Sequence, residues 1–277
     1  MKRLSRFSTS LAAVLAALTL SFSLEAVAQT DAATSSALDA ALVGSHRSDR
    51  NKARDRYRHP KETLTFFGLR RDMTVVEIWP GGGWYTEVLA PLLSGGKLYA
   101  ALMPPMPDNE YVTAGRKSFT DKLAARPDLY GNVTVTSLGP GGFDIAPPGS
   151  ADLVVTFRNL HNWMDLGFAK EAIAEMYRAL KPGGILGVED HRGNPDKPQD
   201  PRAATGYVNE QYAIDLITSA GFVLEARSEI NANPQDTKDY AQGVWTLPPS
   251  YRLGERDRAK YQAIGESDRF TLRFRKP

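Results

Sequence analysis

A glycine-rich turn between two apolar segments constrains this chain more than any other feature. Residues 73–78 are mostly apolar and β-branched, with the length of a buried strand. Three consecutive glycines stand at 81–83, and residues 84–93 then carry apolar side chains at helical spacing. A strand, a glycine turn and a helix in this order form the first unit of a nucleotide-binding α/β sheet.

Glycine has a chemical reason to stand in such a turn. A Cβ atom would keep a ligand away from the backbone, and a tight turn can require a positive φ. The helix that follows directs free N–H groups and a partial positive charge toward the turn. A glycine-rich turn also fits a purely conformational role, so the turn alone does not establish a ligand site.

Strand and helix patterns alternate along most of the remaining chain. This alternation predicts an open parallel sheet with helices on both faces. No clear helix separates the last two strands, so an antiparallel last strand is expected. The later strands are predicted at 97–102, 132–137, 152–157, 185–189, 222–230 and 269–274, and the later helices at 111–125, 168–180 and 207–220.

The first 28 residues have the pattern of a secretory signal peptide. Basic residues precede an apolar stretch, and a small-x-small cleavage site ends at Ala28. We therefore expect a mature chain from Gln29 and an exported, periplasmic protein. A membrane anchor is the alternative, but the stretch is short for a span, and we expect no stable membrane insertion once the signal is removed.

Charge and cysteine content exclude several classes of function. The formal net charge of +2 includes three basic residues and one acidic residue of the signal, so the chain from Gln29 is formally neutral. Neutrality gives no long-range attraction for nucleic acid, and no nucleic-acid partner is expected. The chain has no Cys, which excludes disulfides, thiolate metal sites and a Cys nucleophile.

The mature chain is predicted to have two parts. Residues 29–61 form a leader, disordered over 31–36, and a basic helical arm from residue 46. Residues 46–61 contain seven basic residues and two acidic ones. The favoured interpretation is a solvated helix with internal ion pairs, and the alternative is a lid or an anion-binding arm. Residues 62–277 form the main domain, with an insertion at 231–268.

Three motifs resemble the class I S-adenosylmethionine-dependent methyltransferases, over about residues 62–277. Glu77 ends the first strand before the glycine turn. Residues 151–155 open the fourth strand, and a polar-aromatic segment follows at 158–163. Residues 178–184, Arg-Ala-Leu-Lys-Pro-Gly-Gly, precede the fifth strand. The segment around the turn resembles bacterial predicted methyltransferases that carry signal peptides.

This resemblance implies a Rossmann-like fold with a seven-stranded, mostly parallel sheet, an S-adenosylmethionine cofactor and a small-molecule acceptor. The methionine part of the cofactor is expected over the glycine turn, and the adenine near Phe143 and Asp144. The cofactor-binding residues that it implies are Glu77, Gly81, Gly82, Gly83, Trp84, Arg158 and Asn159.

The sequence departs from the family pattern at two places. Trp79 stands where the family has the first glycine of the turn, so either the turn opens differently or the indole forms a wall of the pocket. Residues 99–103 end the second strand without the acid that usually accepts hydrogen bonds from the ribose hydroxyls. Asp108 or Glu110 could substitute for that acid from the loop.

Two histidines follow neighbouring strands at the ligand-binding edge of the predicted sheet. Methyl transfer to oxygen or nitrogen often needs a base, and imidazole suits this role near neutral pH. His161 and His191 are therefore the candidate catalytic residues; loop histidines bonded to the backbone are the alternative. Trp84 and Trp163 are candidates to flank the substrate or sulfonium. His161 with Asp165, and Asp190 with His191, lack clear metal-ligand spacing, and no metal is predicted.

Three hypotheses remain open from the sequence. The first is a methyltransferase acting on a small molecule. The second is an exported ligand-binding protein that keeps the fold without activity. The third, a nicotinamide-dependent oxidoreductase, is disfavoured because Thr86 stands where the third glycine of its fingerprint belongs. The sequence identifies neither the methyl acceptor nor an oligomeric state.

Overall fold

The structure is a computed structural model that describes residues 31–277. The predicted signal over residues 1–28 and the expected cleavage before Gln29 lie outside this range. Within it, no helix combines the length and the apolar composition needed to cross a membrane.

An eight-stranded, mostly parallel sheet forms the centre of the molecule, in the order β4-β3-β2-β1-β5-β6-β8-β7. The last strand, β8, runs antiparallel to both of its neighbours, which confirms the prediction. The strands are β1 Thr74–Ile78, β2 Lys97–Leu102, β3 Val133–Gly139, β4 Gly142–Asp144, β5 Ala151–Phe157, β6 Leu180–His191, β7 Val223–Ser228 and β8 Arg269–Arg275.

The eighth strand is the one difference from the seven-stranded expectation. The glycine and proline content of residues 139–142 is typical of a loop. They form a hairpin turn instead, in which Gly139 pairs with Gly142 and Leu138 with Phe143, so the three-residue β4 runs antiparallel to β3. A strand this short has too few residues to show an alternating pattern.

Helices cover both faces of the sheet. They are α1 Ala32–Val43, α2 Asp49–Lys52, α3 Asp55–Arg58, α4 Pro60–Phe66, α5 Thr86–Leu92, α6 Glu110–Ala125, α7 Pro127–Tyr130, α8 Leu160–Asp165, α9 Ala169–Ala179, α10 Glu210–Ser219 and α11 Arg258–Ile264, with a 3-10 turn at Gly243–Thr246.

Three segments without clear periodicity in the sequence contain helical structure, and the first of them corrects a prediction. Residues 31–36 are not disordered, because Asp31 accepts a hydrogen bond from the Thr34 amide as the N-cap of α1, and Leu38 in the same helix is fully buried. The polar-aromatic segment at 158–165 contains α8. The insertion at 231–268 contains the 3-10 turn and α11.

Apolar side chains that alternate along the strands supply two cores. Val76, Ile78 and Val154 pack with residues of α8, α9 and α10 on one face. Val75 and Leu153 pack with residues of α1, α4 and α5 on the other. Burial of these β-branched and aliphatic side chains on both faces is the main term that stabilises a parallel sheet.

The basic arm is not a solvated helix, so the favoured interpretation of residues 46–61 is wrong. It forms the short helices α2 and α3, and the side chains of Arg47 and Arg58 are buried. Arg47 forms an ion pair with Asp55 inside the arm, at 2.7 Å. Arg54 and Arg58 instead reach Glu266, over 200 positions away in sequence. The arm therefore packs on the domain through charges that pair across the chain.

Candidate functional site

The turn after β1 adopts the left-handed backbone that the glycines suggested, and Trp79 shares it. The φ angles are +47° at Trp79, +58° at Gly81 and +82° at Gly83. The Trp79 indole Nε1 donates to the Leu138 carbonyl at 2.9 Å, and its ring meets Trp163 edge-on with centroids 6.1 Å apart. A left-handed backbone at a bulky residue is rare, and these contacts hold it in place.

A cavity of about 320 Å³ lies at the carboxyl ends of β1 and β5. This is the edge of an open α/β sheet where ligands bind. Six of the seven residues predicted to bind cofactor line the cavity: Glu77, Gly81, Gly82, Trp84, Arg158 and Asn159. Trp79 is among the residues that line it too.

Two of the glycines leave open space on the ligand side. A Cβ atom added at Gly81 or at Gly82 would meet no other atom within 4 Å, although both residues line the cavity. A Cβ at Gly83 would instead stand 3.3 Å from the Phe119 ring. Gly81 and Gly82 thus allow a ligand to approach the backbone, whereas Gly83 faces packed side chains.

Glu77 is a buried acid, and no basic side chain of residues 31–277 is in direct contact with it. Its carboxylate accepts a hydrogen bond of 2.6 Å from the Thr86 hydroxyl, at the start of α5. Burial raises the pKa of Glu77 to about 7, and the Thr86 hydrogen bond offsets only part of that rise. A cationic group bound in the cavity would favour the charged form of this carboxyl.

Arginines form another part of the cavity lining. Arg54 and Arg58 come from the arm, and Arg158 follows β5. Arg158 has a left-handed backbone, with φ of +60°, and its guanidinium donates to Glu189 at 3.0 Å. Strained backbones of this kind are concentrated at functional sites, and here the strain accompanies a charge placed at the cavity.

The arginines around the cavity outnumber their acids. Arg269 reaches both buried acids, with its Nη1 3.0 Å from Glu189 and 3.4 Å from Glu266. Arg54 and Arg58 share Glu266, at 2.7 and 3.0 Å. With Arg158, four guanidinium groups face two carboxylates. Burial, and next the charge of Arg158, lower the pKa of Arg58 to about 9.

Asn159 connects the two strand ends that frame the cavity. Its side-chain amide donates to the Ile78 carbonyl at 2.9 Å and to the Thr156 hydroxyl at 3.2 Å. These bonds fix β1 to β5 where both strands end. An amide in this position satisfies a backbone carbonyl that β1 leaves unpaired at its carboxyl end.

The two candidate catalytic histidines come together, as their positions on neighbouring strand ends suggested. Their ring centroids are 5.1 Å apart. Asp190, buried at the end of β6, accepts from the His161 backbone N–H at 3.2 Å and contacts its Nδ1 at 2.9 Å. His191 contacts the Ser267 hydroxyl through Nδ1. Burial, and next the charge of His161, lower the pKa of His191 well below its usual range.

Neither histidine lines the cavity, although His161 is two positions from Asn159. Side-chain ligand atoms of His161, Asp190 and His191 lie within 4.8 Å of one another, a grouping that could hold a metal ion. His161 and Asp165 were considered above as a pair of metal ligands. In the structure, the Asp165 carboxylate accepts a hydrogen bond from the Arg202 guanidinium instead.

Other predicted contributors lie elsewhere. Trp163 is buried in the core and does not line the cavity, whereas Trp84 does. The guanidinium groups of Arg47 and Arg58 stand 5.0 and 4.8 Å from the Trp84 ring centroid. Cation–π contacts thus surround Trp84 with the protein's own cations.

The positions considered for adenine and ribose do not line the cavity. Asp108 and Glu110 are exposed. Asp144 is exposed too and forms an ion pair with Arg178, with 3.7 Å between the nitrogen and the oxygen. Phe143 packs edge-on against Phe168. No residue of the loop after β2 stands among the residues that line the cavity. The end of β2 and the loop after it therefore contribute no carboxylate to the cavity, in keeping with the missing acid at residues 99–103.

Sequence reasoning did not assign several of the lining residues to the site, among them Arg54, Arg58, Tyr85 and Pro249. Tyr85 stacks flat on Phe157, with ring centroids 3.5 Å apart. The available signal for the arginines was the surplus of basic residues in the arm, which internal ion pairs cannot neutralise. Pro249 comes from the insertion, and no local pattern places it near β1.

Comparison with known proteins identifies similar folds, and no similar sequence family. No protein-family model and no curated protein matches the sequence. Solved structures do match. An S-adenosylmethionine-dependent methyltransferase from Aquifex aeolicus aligns with a TM-score of 0.54 and 19% identity, over 81% of this chain and 93% of that chain.

Two further structures align over most of both chains. The 4+2 cyclase SpnF has a TM-score of 0.55 and 17% identity, over 88% of this chain and 93% of that chain. The N-methyltransferase NodS from Bradyrhizobium japonicum WM9, in complex with S-adenosyl-L-homocysteine, has a TM-score of 0.50 and 17% identity, over 88% and 98%. The chain therefore has the fold of the S-adenosylmethionine-dependent methyltransferases. Because SpnF is a cyclase, the fold does not fix the reaction.

Proposed function

We propose that this protein is an S-adenosylmethionine-dependent methyltransferase that acts on a small molecule. One observation carries the proposal: Gly81 and Gly82, at the carboxyl end of β1, line a cavity and leave it open at both Cβ positions. In a fold shared with methyltransferases, such a turn suits the close approach of the cofactor. The neighbour NodS was solved with S-adenosyl-L-homocysteine.

The cavity residues suit the amino-acid end of that cofactor. The buried Glu77 would hold its ammonium group, and Arg54, Arg58 and Arg158 would favour its carboxylate. When bound, the cofactor would supply its methyl group to a lone pair of the acceptor and keep the S–C electron pair on sulfur, and the acceptor proton would pass to a base of the protein. The protein's contribution is to align the acceptor and exclude water.

His161 is the residue that we assign as the base. The Asp190 carboxylate beside Nδ1 favours the tautomer with the proton on Nδ1, which leaves the Nε2 lone pair to accept a proton. The lowered pKa of His191 keeps its ring neutral near pH 7, so it adds no positive charge that would oppose protonation of His161.

One observation favours a second candidate, a binding protein that keeps the fold without catalysis. The loop after β2 supplies no carboxylate to the cavity, and neither histidine lines it. Under this alternative, S-adenosylhomocysteine or another ligand would bind but no methyl group would be transferred to any acceptor.

Calorimetric titration of the purified protein with S-adenosylmethionine and S-adenosylhomocysteine tests the proposal. Saturable binding of both, at one site per chain, is the expected result. Absence of binding up to about 1 mM, a free energy of only about 4 kcal/mol, would overturn it.

Once an acceptor is found, His161→Ala and His191→Ala test the base. His161→Ala should lower turnover about 10²–10⁴-fold, while its dissociation constant for S-adenosylhomocysteine stays within about threefold. Wild-type turnover in both variants would remove the histidines from the mechanism. Binding with no turnover of a broad acceptor panel by the wild-type protein would favour the binding-protein alternative.

A further inference from the structure

A second cavity, of about 370 Å³, adjoins the first between the basic arm and the insertion. Arg54 and Pro249 line both cavities, so the two are neighbours. The arm contributes Arg50 and Arg56 to its wall, and the insertion contributes Tyr251 and Arg258. We call this second cavity the arginine cleft.

The charges of the arginine cleft are unbalanced. Its lining contains four arginines and a single acid, Glu266. That acid is already shared, because Arg54, Arg58 and Arg269 all form ion pairs with it. Glu266 therefore has no capacity left to neutralise the other arginines of the cleft.

Within residues 31–277, none of those other arginines has a buried acidic partner, and Arg56 donates to the Tyr57 hydroxyl at 2.7 Å. Arg258 reaches Glu255 at 3.3 Å, but that side chain is 87% exposed, and such exposed pairs are weak. Arg50 has no hydrogen bond or ion pair within residues 31–277. Within the same range, the Nη2 atom of Arg54 is buried without a hydrogen-bond partner. Donors thus remain free at the cleft for an added anion.

Two of the arginines lie against tyrosine rings. The guanidinium carbon of Arg258 is 4.0 Å from the Tyr251 ring centroid, and that of Arg56 is 4.6 Å from the Tyr57 ring centroid. Stacking holds the planar guanidinium group while leaving N–H donors at its edge. The cleft therefore offers both charged donors and aromatic surface.

We propose that the arginine cleft binds a small aromatic acid, with its anionic group on the arginines and its ring on the tyrosine side. Its role as the methyl acceptor rests on the function proposed above. The shared Arg54 places the cleft directly beside the glycine-turn cavity. Methyl transfer to a hydroxyl or amine of such an acid would use the base and cofactor described there.

Matched probes test the need for a negative charge. Benzoate and benzamide have nearly the same shape, but only benzoate is an anion. In calorimetric titrations without cofactor, benzoate should bind at least about tenfold more tightly than benzamide, and phenyl phosphate should bind as benzoate does. Added salt should weaken benzoate binding by screening the arginines.

Matched variants locate the site. The double substitution Arg50→Gln with Arg258→Gln should weaken benzoate binding at least about tenfold. Arg126→Gln is the control, since Arg126 lies outside the cleft and pairs with Asp128 on the surface; it should change the affinity less than about twofold. An unchanged melting temperature in each variant shows that the fold is intact.

Several results would overturn the proposal: no benzoate binding up to about 10 mM, equal affinity for benzoate and benzamide, or full affinity in the folded double variant. A separate titration with S-adenosylhomocysteine distinguishes this failure from that of the proposed function. Benzoate binding without S-adenosylhomocysteine binding would leave the anion site standing and remove its role as an acceptor site. The reverse result would leave the methyltransferase proposal standing and remove the anion site.

Discussion

Two buried regions meet at the glycine-turn cavity, and they differ in how charge is balanced. On the glycine-turn side, Glu77 accepts from Thr86, and no basic group in the described part of the chain contacts it. On the arginine side, Glu189 and Glu266 are surrounded by guanidinium groups that outnumber them.

The difference indicates what the cavity is suited to bind. Unbalanced buried charge is costly, and here the two imbalances have opposite sign. A ligand with a cationic group near Glu77 and an anionic group near the arginines would reduce both. The amino-acid end of S-adenosylmethionine carries such a pair, which agrees with the function proposed above.

The largest expected effect comes from removing an acid on the arginine side. Burial alone would raise the pKa of Glu266, but Arg58, Arg269 and Arg54 outweigh it and hold the pKa at about 2. Glu266→Gln leaves those guanidinium groups without their counter-ion. We expect the free energy of unfolding, measured in urea at neutral pH, to fall by about 3–5 kcal/mol.

The pH dependence of this effect has a definite sign. Because the folded-state pKa of Glu266 lies below the ordinary glutamate value of 4.5, the stabilisation by Glu266 is fully present above pH 4.5. The contribution is lost as the pH falls toward about 2. Asp121→Asn, which removes an exposed partner of Lys117, is the control and should cost less than about 0.5 kcal/mol. Equal costs for the two variants would contradict the contrast between buried and exposed pairs.

The glycine-turn side should show the opposite pH dependence. The folded-state pKa of Glu77, about 7, lies above the ordinary glutamate value of 4.5, so the unliganded protein loses stability as the pH rises between these values. The loss is on the order of 3 kcal/mol and is complete above about pH 7. Glu77→Gln, which can still accept from Thr86, should abolish it.

Urea unfolding of the wild-type protein and the Glu77→Gln variant, at about pH 5 and pH 8, measures this difference. The variant should be the more stable protein at the higher pH. If Glu77→Gln leaves the difference between the two pH values unchanged, the carboxyl is not the group that titrates.

The next effect in size concerns ligand affinity at the turn itself. Gly82 has no positive φ and open space at its Cβ position, so Gly82→Leu fills the cavity without straining the backbone. We expect at least a 100-fold loss of affinity for S-adenosylhomocysteine, about 2.7 kcal/mol. Gly81 is a poorer test, because its φ of +58° would strain any other residue.

Calorimetry and thermal melting separate binding from folding in this experiment. The matched control is Gly115→Leu, at an exposed helical position with equally open space. Both variants should keep the wild-type melting temperature within a few degrees, roughly 1 kcal/mol or less. Wild-type affinity in Gly82→Leu would place the cofactor elsewhere.

Local patterns were enough to predict one of these two regions. The run at 73–78, the glycines after it and the helix at 84–93 are continuous in sequence, so periodicity and turn chemistry placed Glu77, Gly81 and Gly82 at the ligand edge of the sheet. The parallel order and the antiparallel β8 followed from alternation and its interruption. Only β4 was too short to predict.

The arginine side depends on contacts that no local pattern contains. Arg54 and Arg58 are buried because Glu266 lies opposite them, and that residue is more than 200 positions away in sequence. A basic segment read alone fits a solvated helix equally well. The arm's surplus of basic residues was the one sequence feature that pointed to an acidic partner elsewhere in the chain. The structure shows that partner, because the arm packs against the insertion and β8.

The smallest expected effect concerns the ribose, and it extends the comparison to the end of β2. That strand ends at Leu102, and neither Asp108 nor Glu110 lines the cavity. A carboxylate bonded to the ribose hydroxyls would contribute about 1.5–3 kcal/mol. Without it, removing those hydroxyls from the ligand should cost little binding free energy.

We expect S-adenosylhomocysteine and its 2′,3′-dideoxy analogue to differ less than about threefold in dissociation constant, and both constants to lie above about 1 μM. A difference of tenfold or more in competition calorimetry would show that another residue has taken over ribose recognition. Asp108→Asn and Glu110→Gln would then be the first variants to make. If one of these carboxylates forms a charge-assisted hydrogen bond to the ribose, its replacement should make the two ligands bind with similar affinity.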